Sequence, residues 1–75
     1  MKSIFKTLVT EMTNKETGKV IIDKTLCSFP SEESINNHLE MLLNNYKHST
    51  TYNYNLYYIE PTVIKKTKTE TVYKA

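Results

Sequence analysis

Four tyrosines fall within a short stretch, Tyr52, Tyr54, Tyr57 and Tyr58, and a lysine run, Lys65, Lys66 and Lys68, follows soon after. Phenol rings set along a strand can stack nucleobases while neighbouring ammonium groups engage phosphates. The same rings suit a protein partner, because tyrosine is enriched in protein–protein interfaces. Beside both stands a plain structural role: tyrosines at period two are ordinary half-buried sheet residues, and lysines guard a sheet edge against aggregation. The chain has no arginine, the residue that supplies most bidentate contacts to bases and phosphates. The reading therefore leans to a protein partner contacted by the four tyrosines, with the three lysines steering the encounter. Nucleic-acid binding through the same residues is the alternative. Segment 65–71 could also act as an exposed edge strand that pairs with a partner's strand.

Other chemistry is sparse. Cys27, His38 and His48 are the only soft ligands, and no two have the spacing of a metal motif. His38 lies three residues after Ile35, on the shoulder of an apolar stripe, and reads as a partly buried structural histidine. Cys27 lies in the run Leu26-Cys27-Ser28-Phe29 and is expected to be a buried, inert thiol. A nucleophile needs a base within hydrogen-bond reach. Asp23 shares a strand face with Cys27 but stands about 13 Å away at 3.3 Å per residue. Gly18 is the one glycine, and a phosphate-cradling loop needs several. The expectation is a protein without enzymatic activity, cofactor or metal.

The elements that carry these residues follow from periodicity. Ile4, Phe5, Leu8, Val9 and Met12 fit a helix or a two-faced strand. The polar stretch Asn14-Lys15-Glu16-Thr17-Gly18-Lys19 and the β-branched Val20-Ile21-Ile22 decide for an antiparallel hairpin of strands 3–13 and 19–29. Pro30-Ser31-Glu32-Glu33 is a helix start, with Ser31 as cap and acids at the positive end of the dipole. Ile35, Leu39, Leu42, Leu43 and Tyr46 then form one apolar face, which predicts a helix over 32–47, closed by Lys47 and His48. From Thr51 the period becomes two: Tyr52, Tyr54, Leu56 and Tyr58 face one way, Asn53, Asn55, Tyr57 and Ile59 the other. Pro61 ends this strand, 51–60, or sits at an edge, and 62–73 reads as a last strand fraying into a tail. The fold class is α+β, ββαββ, an antiparallel sheet with one helix packed on one face.

One helix covers one face of a sheet, and a wet reverse face calls for strict alternation. The first three strands do not alternate strictly: Phe5 and Val9 oppose Ile4, Leu8 and Met12, while Val20, Ile22 and Leu26 oppose Ile21, Cys27 and Phe29. Tyr57 and Ile59 oppose the other tyrosines. A surplus of about seven sizeable apolar groups is thus expected on the side without a helix, a pattern that marks an interface. The bland counterpart is a twisted sheet, or a tail, that covers its own second face.

Composition sets the outer bounds. Seventy-five residues make one domain with a thin core, and a single cysteine excludes an intrachain disulfide. The net charge is +2, too small for a protein that coats DNA, yet it is uneven, with the positive excess confined to residues 62–75. The Met1-Lys2 start leads into no apolar signal region and no stretch approaches a membrane span, so a cytoplasmic protein with no membrane partner is expected. Abundant Lys, Asn, Tyr, Ile and Thr point to an AT-rich genome, such as that of a phage or mobile element. The expected function is to bind and modulate or inhibit another protein, with the chain also a homo-oligomer. The alternatives are a nucleic-acid-binding regulator and a structural or assembly subunit.

Overall fold

A computed structural model describes residues 3–75; the Met1-Lys2 start lies outside them. Strands β1 (Ile4–Asn14) and β2 (Val20–Phe29) form the expected antiparallel hairpin. Its bend is built by the polar stretch between them. Asn14 Oδ1 accepts the amides of Glu16 and Thr17 at 2.9 and 3.0 Å. Gly18 closes the loop at φ +74°, a backbone that a side chain would strain.

The helix α1 (Glu32–Tyr46) starts where its cap requires: Ser31 Oγ accepts the Ser34 amide at 3.3 Å, with Glu32 and Glu33 in the first turn. It stops one residue short of the expected 47, where the Lys47 amide bonds the Leu43 carbonyl at 3.0 Å. Of the expected apolar face, Ile35 is buried and Leu39, Leu42 and Tyr46 are half-buried, but Leu43 is exposed. The reason is angular. At 3.6 residues per turn Leu43 stands about 80° from Ile35, on the shoulder of the stripe and not at its centre.

Strand β3 (Tyr52–Ile59) pairs antiparallel with β1, giving the order β2-β1-β3. The chain therefore leaves one edge of the sheet after β2, passes through α1, and returns as the opposite edge. Val9, Phe29, Ile35 and Leu56 are the buried residues of the hydrophobic core. Phe29, Ile35 and Leu56 lie between helix and sheet. Around them His38 Nδ1 and the Tyr58 hydroxyl share a hydrogen bond of 2.6 Å, and the Phe29 and Tyr58 rings meet edge to face at 5.7 Å. At the other end of the helix Tyr46 stacks on Tyr54 with ring centroids 4.3 Å apart.

The C-terminal segment departs from expectation. Residues 62–73 are not one strand but a hairpin, β4 (Thr62–Lys66) and β5 (Thr71–Lys74), forming a second, two-stranded sheet. Its turn is held by Thr67, whose amide donates to the Glu70 carbonyl at 2.7 Å and whose Oγ1 accepts the Glu70 amide at 3.0 Å. A Thr/Lys turn with neither glycine nor proline gives little warning of itself. Pro61 is buried between β3 and β4, and the hairpin meets the main sheet where Tyr73 packs on Phe5 with ring centroids 4.9 Å apart. The resulting molecule is elongated, with a longest dimension of 50 Å.

Candidate interaction surface

Register determines which side chains share a face, because residues directly opposite in a ladder point the same way. By the β1–β2 and β1–β3 registers, Phe5, Val9, Val20, Ile22, Leu26, Tyr57 and Ile59 all lie on the side away from α1. The two-faced pattern in the sequence is thus a real surface of seven apolar groups. Its fate is uneven. Val9 is buried in the middle strand, Leu26 is half-buried, and Phe5 is half-buried against Tyr73. The C-terminal hairpin therefore covers the Phe5 end. Val20, Ile22, Tyr57 and Ile59 stay 54, 57, 38 and 40% exposed.

A polar lock sits among them. Glu11, on the same face, accepts Asn55 Nδ2 through Oε1 and the Tyr57 hydroxyl through Oε2, each at 2.9 Å. These two hydrogen bonds hold the Glu11 carboxyl below the usual glutamate range, since both donors favour its charged form. The Glu11 carboxylate in turn pushes the Tyr57 phenol up. Tyr57 is left ring-exposed but with its hydroxyl anchored, a pre-organised contact. Glu11 was not legible as a functional residue, although one signal existed: an acid at a position whose parity neighbours, Phe5 and Val9, are apolar.

The tyrosine row divides as its parity requires. Tyr52, Tyr54 and Tyr58 point to the helix side and are half-buried, while Tyr57 points to the reverse. Burial, reinforced by the nearby Cys27, pushes the Tyr58 phenol up. Tyr52 and Tyr54 line a cleft of about 340 Å³ with Tyr46, Lys15 and Lys47. The Lys15 ammonium is engaged there by the Ser49 carbonyl at 2.8 Å.

Lys65, Lys66 and Lys68 stand elsewhere. They are exposed on the β4–β5 hairpin, and Lys66 and Lys68 flank a shallow cleft with Phe5 and Tyr73. Tyr54 pairs with Met12, seven residues along β1 from Phe5, or about 23 Å at 3.3 Å per residue. The lysine run and the Tyr52–Tyr54 pair are not one surface.

Cys27 is half-buried and not fully buried as expected, because it lies on the outer strand, and its thiol leans on the Thr25 carbonyl at 3.7 Å. His38 is part-buried and bonded to Tyr58, as its place on the stripe suggested. Among the described residues no three His, Cys, Asp or Glu side chains cluster as a metal site, and no helix is long and apolar enough to cross a membrane. Compared with known protein families, with characterised proteins and with solved structures, the chain shows no significant match.

Proposed function

We propose that this chain is a non-enzymatic binding domain that docks on another protein and modulates or inhibits it by occupying a surface. The supporting observation is the reverse face of the main sheet, where Val20, Ile22, Tyr57 and Ile59 stay exposed around the Glu11–Tyr57–Asn55 lock. Covering the exposed half of four such groups is worth roughly 3–6 kcal/mol, and a ring with an anchored hydroxyl is the side chain that interface hot spots favour. Of the tyrosines expected as contacts, Tyr57 is the one this reading retains.

The test is affinity capture from host lysate treated with nuclease, using the wild-type chain and Ile59→Lys. A stoichiometric protein band that survives nuclease and disappears with Ile59→Lys supports the reading. Capture that nuclease abolishes and Ile59→Lys leaves alone overturns it. One observation favours nucleic acid as a second reading: the Tyr46–Tyr54 stack opens on a cleft shared with Lys15 and Lys47. Binding there would weaken steeply with salt, by a log–log slope of about −0.9 per phosphate neutralised on duplex DNA, while an apolar protein contact barely responds.

A further inference from the structure

We propose that β2 pairs edge to edge with β2 of a second copy of this chain, antiparallel and centred on Ile21, joining two three-stranded sheets into one of six strands. β2 is an outer strand of its sheet, and Val20–Thr25 are exposed without interruption. The Lys19 carbonyl accepts the Asn14 amide at 2.8 Å. Ladder alternation then turns the backbone groups of Ile21 and Asp23 inward to β1 and those of Val20, Ile22 and Lys24 outward. That outward row has no strand to bond, and a free row of donors and acceptors beside exposed β-branched side chains is a template for another strand.

The side chains say which strand. A twofold axis normal to the sheet makes each residue face a copy of one on the same side of the sheet. Centred on Ile21, the axis sets Ile21 against Ile21, Val20 against Ile22 twice, and Lys19 against Asp23 twice. Within Lys19–Asp23 every apolar group meets an apolar group and every charge meets its opposite. Neighbouring registers lose this: centring on Ile22 puts Lys24 on Val20 and Asp23 on Ile21, centring on Asp23 or Lys24 opposes like charges, and centring on Val20 puts Lys19 on Ile21. Among the described residues the one ion pair is Lys6 with Glu60, so Lys19 and Asp23 bring uncommitted charges to the contact. β3, the other edge, carries no charged side chain and specifies no such register. Because the axis is normal to the sheet, both α1 helices lie on the same side of the joined sheet.

Self-pairing uses the backbone edge of β2, whereas the foreign partner is assigned the flat of the sheet; Ile22 belongs to both, so the charge variants at Lys19 and Asp23, which are not among the reverse-face groups, address self-pairing alone. Sedimentation equilibrium of the full chain over a concentration series is expected to show mass rising from 8.8 kDa toward twice that value. Ile22→Pro removes an outward amide and spares the β1 ladder, so it is expected to give a monomer with unchanged circular dichroism. Lys19→Glu and Asp23→Lys each turn two opposed pairs into like charges and should weaken self-association about tenfold. Mixing these two variants should restore it as a heterodimer, and the double variant should dimerise like the wild type. Ile59→Lys should leave it intact. A chain that stays monomeric at every concentration overturns the proposal, as does a dimer indifferent to Ile22→Pro, or single-charge variants that fail to rescue each other.

Discussion

Thr7 offers a direct test of how the reverse face is packed. It is 0% exposed, and its Oγ1 has no hydrogen-bond partner among the described residues. It sits in the middle strand opposite Leu26 on β2 and Ile59 on β3, so apolar side chains wall it on both sides. A buried hydroxyl left unpaired costs about 1–3 kcal/mol by mutational data. Thr7→Val replaces that hydroxyl with a methyl, keeping the β-branched shape and its rotamer preference. The substitution is therefore expected to stabilise the fold by about 1–2 kcal/mol, which for a chain of this length raises Tm by roughly 5–15 °C. Urea denaturation should show a higher midpoint with an unchanged m-value. Thr10→Val, at a half-buried position facing the helix side, serves as control and should stay within about 0.5 kcal/mol. If Thr7→Val destabilises, the hydroxyl has a partner, and the strip between Leu26 and Ile59 is not the dry one described.

Three further outcomes follow from the geometry. Because two hydrogen bonds hold the Glu11 carboxyl below its usual range, the folded state favours the charged form. The stability this contributes is present above the unfolded pKa and is lost as pH falls through the folded one. Urea midpoints measured from pH 7 down to about 3 should therefore fall more for wild type than for Glu11→Gln. Ser31→Ala removes the α1 cap and should cost about 1 kcal/mol, with helical circular dichroism melting earlier in the same proportion. A double-mutant cycle of Tyr46→Ala and Tyr54→Ala should give a coupling of about 0.5–1.5 kcal/mol for the stacked pair; additive effects would mean that the rings do not hold the end of the helix.

Local chemistry made much of this fold readable. The Asn14–Gly18 loop, the Ser31 cap and the apolar step from Ile35 to Tyr46 each rest on interactions within a few residues, and each stands where its residue types put it. The two-faced apolarity of β1, β2 and β3 also survived, because period two holds whatever the neighbours are. What local chemistry leaves open is pairing between elements distant in the chain. Nothing in Tyr52–Ile59 says that β3 joins β1 rather than β2, and the Lys65–Lys68 run stands beside the tyrosines by chain distance alone. In three dimensions β3 runs from Tyr52 toward the Phe5 end before the hairpin begins, which sets the lysines apart from Tyr52 and Tyr54. The C-terminal turn was missed because Thr67 makes with its hydroxyl a bend that glycine or proline would have advertised.

The same pairing logic that hid from the sequence gives the sharpest remaining prediction. The Cα radius of gyration is 14.8 Å, against about 11 Å for a compact chain of this length, so much of the backbone lies near water. The Val20–Thr25 end of β2 has no covering layer on either face, and opening there should be inexpensive. In a lone chain the outward amides of Val20, Ile22, Lys24 and Leu26 should all exchange hydrogen fast, and the inward amides of Ile21 and Asp23 more slowly, by only the small factor that inexpensive opening allows. Pairing centred on Ile21 changes two of the four: Val20 and Ile22 donate across the axis, whereas Lys24 and Leu26 fall beyond the paired segment. Hydrogen exchange followed at rising protein concentration should therefore slow at Val20 and Ile22 and stay fast at Lys24 and Leu26. Slowing at all four would place the axis further along β2, and slowing at none would leave the edge of β2 open to solvent.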